Sequence, residues 1–220
     1  MTTTTPRIVT VRQNILKAND HTAAENRRSF QAAGVRAINL ASSPGAGKTA
    51  LLERTLQGLA GQVSMGVAVG DLATENDAAR LRQCGAPAEQ IVTGTICHLD
   101  AGMVQAVLPR FDLDALDVLF LENVGNLVCP SSYDLGEAAR AVLISTTEGE
   151  DKPLKYPTMF NTADVVVITK MDLADAVGFD RDLCRENIER ARPGVPVIEL
   201  SSRAGTGLDA WYAFVRGDAP

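Results

Sequence analysis

The sequence predicts an α/β fold: a doubly wound, mostly parallel sheet with helices on both faces. Three observations predict it. Short apolar runs alternate with helical patterns along the chain, as in repeated βαβ units. One run, Leu116-Asp-Val-Leu-Phe-Leu121, is apolar at nearly every position, as required of a strand covered on both faces. A glycine-rich turn, Ser42-Ser-Pro-Gly-Ala-Gly-Lys-Thr49, follows the first run and precedes a helix, at the kind of strand end where such sheets bind ligands.

The elements follow in order. Residues 11–33 read as a helix with a weak apolar face of Ile15, Leu16, Ala23 and Phe30, and Gly34 ends it. Strands are expected at 35–41, 63–69, 116–121, 138–144, 165–169 and 197–200, and further helices at 49–59, 75–82, 101–108, 180–191 and 208–215. The first helix precedes the first strand, so the expected division is a tail and appended helix over 1–34 and one α/β domain over 35–220. The polar stretch 148–157 reads as a connection long enough to reach a partner subunit.

Composition sets the broad class. The chain has 220 residues, 45% hydrophobic and 22% charged, which suits one ordinary globular core. No run approaches the roughly 18 apolar residues of a membrane span. The first residues, Met-Thr-Thr-Thr-Thr-Pro, lack the apolar centre of a secretory signal, so a cytoplasmic location is expected. The net charge is −6 and no basic stripe stands out, which argues against a nucleic-acid partner. The four cysteines, Cys84, Cys97, Cys129 and Cys184, do not suit a disulfide framework in such a chain. Cys84 and Cys184 fall in helices or at their ends and read as structural, and His21 reads as a solvated helix residue.

The glycine-rich turn has the physics of a phosphate loop, although Ser42 stands where the general pattern has Gly. The backbone of Ser43, Pro44, Gly45, Ala46 and Gly47 would wrap the phosphates, with the two glycines permitting close approach. The helix behind it points free N–H groups and its positive end at the anion. Lys48 would neutralise the terminal phosphates and Thr49 would place its hydroxyl on Mg²⁺.

Two further strand ends carry acids. Glu122-Asn-Val-Gly125 has the spacing of the Asp-x-x-Gly switch of GTPases, with Glu for Asp. Its carboxylate would hold Mg²⁺, through a water, and Gly125 would sense the γ-phosphate. Asp71 would either hold Mg²⁺ or orient the attacking water. Lys48, Asp71, Glu122 and Gly125 are thus the expected catalytic set.

The base-reading positions come last in the chain. In Thr169-Lys-Met-Asp172, Asp172 would accept from the guanine N1–H and exocyclic amine, a donor pair that adenine lacks. Lys170 would lay its stem over the base, and Thr169 takes the place of the usual Asn. Ser201-Ser-Arg203 resembles the last base-contacting loop of GTPases, with Ser201, Ser202 and Arg203 as candidates. The expected ligand is therefore GTP or GDP.

One constellation lies outside the nucleotide motifs. Cys97 and His98 are adjacent, and Cys129 follows Gly125 by four residues. Two thiolates and an imidazole suit Ni²⁺ or Zn²⁺. Neighbours on a regular strand point oppositely, so Cys97 and His98 can share an ion only in irregular backbone. Three ligands leave the shell incomplete, to be closed by water or a second subunit. Spacing alone leaves buried thiols and a stray histidine as the other reading. The position of Cys129 just beyond the switch connects the cluster to the nucleotide.

Taken together these phrases resemble the hydrogenase-maturation GTPases called HypB, which deliver nickel to the [NiFe]-hydrogenase large subunit. The resemblance runs from about Ile15 to Trp211. It rests on Asn39-Leu-Ala-Ser-Ser-Pro-Gly-Ala-Gly-Lys-Thr49, Gly70-Asp-Leu-Ala-Thr-Glu-Asn-Asp77, Cys97-His-Leu-Asp-Ala101, Glu122-Asn-Val-Gly-Asn-Leu-Val-Cys-Pro130 and Thr147-Glu-Gly-Glu-Asp-Lys-Pro-Leu-Lys-Tyr-Pro157. The family's loop also has Ser at the position of Ser42. The resemblance implies a SIMIBI-like G domain of the P-loop NTPase class. It also implies GTP hydrolysis with Mg²⁺, and a nickel or zinc site at Cys97, His98 and Cys129 near a dimer interface. The implied partners are a second copy in the GTP state, other nickel-enzyme maturation proteins and the hydrogenase large subunit. Some members carry an N-terminal Cys-rich or His-rich nickel tract. These 220 residues contain neither, so the G-domain cluster is the expected metal site. The alternatives are a related nickel-insertion GTPase for another enzyme such as urease, a metal-binding module with a merely structural nucleotide, or a plain signalling GTPase.

Overall fold

The computed structural model describes residues 7–72 and 76–218. The Thr-rich start and Glu75, where the third helix is expected to begin, lie outside them. Seven strands form one sheet in the order β3-β2-β4-β1-β5-β6-β7, and every pairing is parallel. In chain order they are β1 (Arg36–Ser42), β2 (Met65–Asp71), β3 (Ala88–Val92), β4 (Val118–Glu122), β5 (Ala139–Ser145), β6 (Val165–Thr169) and β7 (Val197–Glu199). The α-helices are α1 (Arg7–Ala33), α2 (Lys48–Gly58), α3 (Asn76–Gln83), α4 (Ala101–Val107), α5 (Lys152–Lys155), α6 (Pro157–Asn161), α7 (Ala174–Val177), α8 (Arg181–Ala191) and α9 (Leu208–Arg216).

Strand alternation divides the core between two faces. Ile38, Leu40, Val67 and Phe120 pack with Leu51, Leu52 and Leu56 of α2, Leu81 of α3 and Trp211 of α9. Ala37, Ala68, Leu119 and Leu121 face the other way, against Phe30 of α1 and Val104 of α4. Ala41, Val142, Ile144 and Val166 extend that second face to Met159 and Phe160 of α6 and Cys184 and Ile188 of α8. β1 lies inside the sheet with β2 to β4 on one side and β5 to β7 on the other, so the crevice at its carboxyl end is the ligand position of this topology.

Several expectations needed correction. The edge strand β3, Ala-Glu-Gln-Ile-Val, was not foreseen: only Ala88 and Ile91 are buried and Val92 is exposed, so its sequence lacks the apolar signal. The short helices α5, α6 and α7 have four or five residues each, too few for helical periodicity to show. The stretch 148–157 is structured. It contains α5, buries Pro153, and is tied to α8 by Asn187 Nδ2 donating to Glu150 O at 3.0 Å. Ile15 is 53% exposed, so the buried stripe of α1 is Asn19, Ala23, Asn26 and Phe30, a helical spacing in which half the positions are polar.

Those polar positions dock α1. Asn19 Nδ2 donates to Asp134 O at 2.8 Å and its Oδ1 accepts from Ala101 N at 2.9 Å. Asn26 Nδ2 donates to Ala101 O and Leu135 O at 2.9 and 3.1 Å, and Arg27 pairs with both oxygens of Asp134 at 2.8 Å. Gly34 ends the helix at φ 72°, and Val35 N closes back on Phe30 O at 2.9 Å. Removing the Asn26 amide leaves two buried carbonyls without their donor. Asn26→Ala should therefore lower the unfolding free energy in urea by about 1–3 kcal/mol; an unchanged midpoint would refute this docking role.

Candidate functional site

The phosphate loop runs from the end of β1 into α2. Gly45 and Gly47 both sit at positive φ, 75° and 97°, which glycine adopts without steric cost. Lys48 is buried, and its Nζ donates to Ser42 Oγ at 3.0 Å. The serine that departs from the general motif thus holds the lysine. Ser42 Oγ in turn donates to Ser43 O at 2.7 Å. Thr49 Oγ1 donates to Glu122 Oε1 at 2.7 Å, so the hydroxyl and carboxylate expected to share a cation already touch.

Glu122 and Lys48 are both buried and interact electrostatically. Burial pushes the Glu122 carboxyl up to about 7, against the pull of Lys48 and the Thr49 hydrogen bond. Burial likewise lowers the Lys48 ammonium, opposed chiefly by Glu122. Glu122 Oε2 is buried and has no hydrogen-bond partner, the state of an oxygen shaped for a ligand. The donor set of Thr49, Asp71, Asp77 and Glu122 is all oxygen, which fits Mg²⁺. All four line a cleft of about 460 Å³ with Pro44, Gly45, Gly47, Lys48, Arg80, Asn123 and Gly125. Asp77 and Arg80 were not singled out from the sequence. They belong to α3, where Arg80 is held by Glu53 at 2.8 Å and by Asp77 at 3.4 Å.

Gly125 has a steric reason to be glycine. A Cβ there would lie 2.8 Å from Pro44 Cα and 2.9 Å from Pro44 N, inside the phosphate loop's own backbone. Gly70 is similar: its Cβ would meet Leu99 at 2.8 Å and Glu122 O at 3.2 Å. This absence lets the Cys97–His98 loop close over the ends of β2 and β4.

The base-side residues line a second cleft of about 290 Å³. It contains Thr169, Lys170, Asp172, Ser201, Ser202 and Arg203, and it shares Gly47 and Ala50 with the first. Thr169 Oγ1 donates to Ala46 O at 2.6 Å, so the residue replacing Asn still braces the phosphate loop. Lys170 takes φ 57° and its Nζ donates to Gly45 O at 2.7 Å. Ser201 Oγ donates to Asp172 Oδ1 at 2.5 Å, orienting the carboxylate. Ser43 and Ala46 line neither cleft, and Ala46 is fully buried beneath the loop.

The thiol and imidazole residues also meet. One ligand atom from each of Cys97, His98 and Cys129 lies within 4.8 Å of the others, and Cys97 Sγ donates to Cys129 Sγ at 3.1 Å. Cys97 and His98 occupy a bend, the irregular backbone that adjacent ligands require. Burial lowers the His98 pKa, with Asp100 opposing, which favours the neutral imidazole that a metal needs. Its Nδ1 is buried without a hydrogen-bond partner, and Tyr133, unforeseen from the sequence, lies with its ring centroid 4.0 Å from that of His98. The other two cysteines stand apart from this cluster. Cys184 is fully buried in α8, and Cys84 follows α3. His21 is exposed.

With both clefts and the cluster in place, comparison with other proteins decides the family. A profile described as CobW/HypB/UreG, nucleotide-binding domain, matches residues 36–199. The chain belongs to the CobW/HypB/UreG family. It is 49% identical over 213 residues to the hydrogenase maturation factor HypB of Rhizobium leguminosarum bv. viciae, covering 97% of this chain and 71% of that protein. It is also similar to the crystal structure of hydrogenase maturation factor HypB from Archaeoglobus fulgidus. That likeness has a TM-score of 0.86 and 40% identity, over 91% of this chain and 98% of the other. The crystal structure of HypB from Helicobacter pylori in complex with nickel gives a TM-score of 0.85 and 41% identity, over 90% and 93%. As a member of this family the chain is a P-loop nucleotide hydrolase. Among the described residues no helix is long and apolar enough to cross a membrane.

The buried carboxyl makes a pH prediction. A group whose pKa is raised by folding binds its proton more tightly in the folded state. The folded chain is therefore favoured below the unfolded value of 4.5, and that advantage is lost as pH rises through about 7. In metal- and nucleotide-free protein, Glu122→Gln should leave stability near pH 5 little changed and raise it at pH 8 by roughly 2–3 kcal/mol. Urea unfolding at the two pH values checks this; a variant less stable than the native chain at pH 8 would contradict it.

Proposed function

We propose that this chain is a GTP-hydrolysing nickel metallochaperone that helps insert nickel into [NiFe]-hydrogenase, with its metal site coupled to the nucleotide switch. The observation that carries the reading is one of continuity. The segment that lines the phosphate cleft as Glu122–Gly125 runs on to Cys129, which meets Cys97 and His98.

Each residue then has a task. The backbone of Ser43 to Gly47 and the start of α2 hold the phosphates, and Lys48 offsets the charge that builds on the β–γ bridge as water attacks the γ-phosphorus. Magnesium, when bound, would neutralise the phosphate oxygens; Thr49 and Glu122 would hold it. Asp71 ends β2 on the cleft wall, placed either to join them or to orient the water. Asp172, aligned by Ser201, gives the preference for guanine, with Lys170 along the base and Ser202 and Arg203 at its rim. Cys97, His98 and Cys129 take nickel, and zinc suits the same donors. Binding releases protons from the thiols, so affinity rises with pH.

Three protein ligands leave room for another. Ile96 and Val128, beside Cys97 and Cys129, are 40% and 61% exposed, an apolar rim suited to a second copy in a GTP-favoured homodimer. Further partners in this reading are the other nickel-enzyme maturation proteins and the hydrogenase large subunit. Nucleic acid and membrane have no part in it, and the location is cytoplasmic. The proposed organisation is a tail and helix over 1–34 with the GTPase domain over 35–220.

The test is a Ni²⁺ titration of the native protein and of Cys129→Ala, each with GDP·Mg²⁺ and with a non-hydrolysable GTP analogue. The expected result is binding whose affinity differs about tenfold or more between nucleotides and is lost in the variant. Equal affinities in the two states would remove the coupling, since a ligand without differential affinity shifts nothing. No binding at all would leave a nucleotide hydrolase without a metal role.

A further inference from the structure

Asn123 is 1% exposed and lies between the two functional sites. Its Oδ1 accepts two backbone hydrogen bonds, from Leu99 N and from Val124 N, each at 3.0 Å. Leu99 directly follows His98, and Val124 directly precedes Gly125, the residue pressed against the phosphate loop at Pro44. One amide oxygen therefore holds the metal-ligand loop and the switch loop together. The other end of the amide is also used: Asn123 Nδ2 donates to Asn39 Oδ1 at 3.4 Å. Asn39 Nδ2 donates to Glu137 Oε1 at 3.0 Å, and Glu137 pairs with Arg140 at 2.7 Å. Arg140 Nη2 donates to Tyr133 O at 2.8 Å, and Tyr133 carries the ring beside His98. The bonded path ends at the residue after His98 on one side and, on the other, at Tyr133, whose ring lies beside the imidazole.

We propose that Asn123 is the positioning residue that transmits nucleotide state to the metal site, by fixing the Leu99 and Val124 amides to one oxygen. The inference rests on the nickel-transfer reading above and deepens it. The two accepted bonds join the loops, and the donated bond to Asn39 anchors the side chain within a buried space. A shift of Val124 toward or away from the phosphates either carries Leu99, and with it His98, or leaves a buried amide unpaired. The second outcome is penalised, so the loops move together.

The test compares the ratio of Ni²⁺ dissociation constants, GDP against a non-hydrolysable GTP analogue, in the native chain, Asn123→Ala and Asn123→Asp. Asn123→Asp keeps the double acceptor. The expected ratio is about tenfold or more in the native chain, within about twofold of unity in Asn123→Ala, and largely restored in Asn123→Asp. A merely structural asparagine would weaken Ni²⁺ in both states alike and leave the ratio unchanged; that result overturns the proposal while leaving the metal reading intact. A native ratio of unity overturns the proposal together with the coupling it rests on. If Asn123→Ala does not fold, the native chain still decides. The backbone amide NMR resonances of Val124 and Leu99 should both shift when the analogue replaces GDP, and a shifted Val124 with an unmoved Leu99 overturns the proposal.

Discussion

The structure depends on where β4 ends. β4 is hydrogen-bonded to β1 on one side and to β2 on the other, and a parallel sheet brings all strand ends of one polarity to one edge. Glu122 therefore faces Thr49 behind the β1 turn, with Asp71 at the end of β2 on the same cleft. The chain turns at Asn123, passes Pro44 with a glycine, and delivers Cys129 to Cys97. A phosphate cleft and a thiol cluster become neighbours through the geometry of one strand end.

That placement costs stability, and the cost is informative. A carboxyl raised to about 7, a lysine lowered by the same burial, and a carboxyl oxygen without a partner converge on one cleft, the pattern of a ligand site. Each would be relieved by a phosphate or a cation. His98 Nδ1, also buried without a hydrogen-bond partner, has the same character toward a metal. Asn19, Asn26 and Arg27 fasten α1 to the segment 134–135 and to the start of α4. That segment follows Cys129 and Tyr133, so α1 also steadies the far side of the metal loop.

Much of this was legible in the sequence, and the reason is locality. The phosphate loop, Glu122 with Gly125, the Thr169–Asp172 run and Ser201 each lie at a strand end, and strand ends follow from apolar runs such as 116–121. Cys97, His98 and Cys129 were legible as a cluster because few residue types bind soft metals. What was hidden depends on pairing across long separations. Nothing local marks Asn123 as the acceptor for Leu99, or Arg140 as the support of Tyr133. The edge strand β3 is half polar, and Ile15 looked like core yet faces solvent because α1 is docked by asparagines. Asp77 and Arg80 line the phosphate cleft only because α3 folds back over it.

The central claim is that the nucleotide cleft and the metal site are one thermodynamic system. Linkage makes that claim reciprocal: the factor by which nucleotide changes metal affinity must equal the factor by which metal changes nucleotide affinity. The most direct measurement is the affinity of the native protein for GDP and for a non-hydrolysable GTP analogue, with and without saturating Ni²⁺. The account predicts that Ni²⁺ changes the preference between the two nucleotides by the same factor found in the metal titrations. Nucleotide affinities that Ni²⁺ leaves unmoved, with the metal bound, would contradict it.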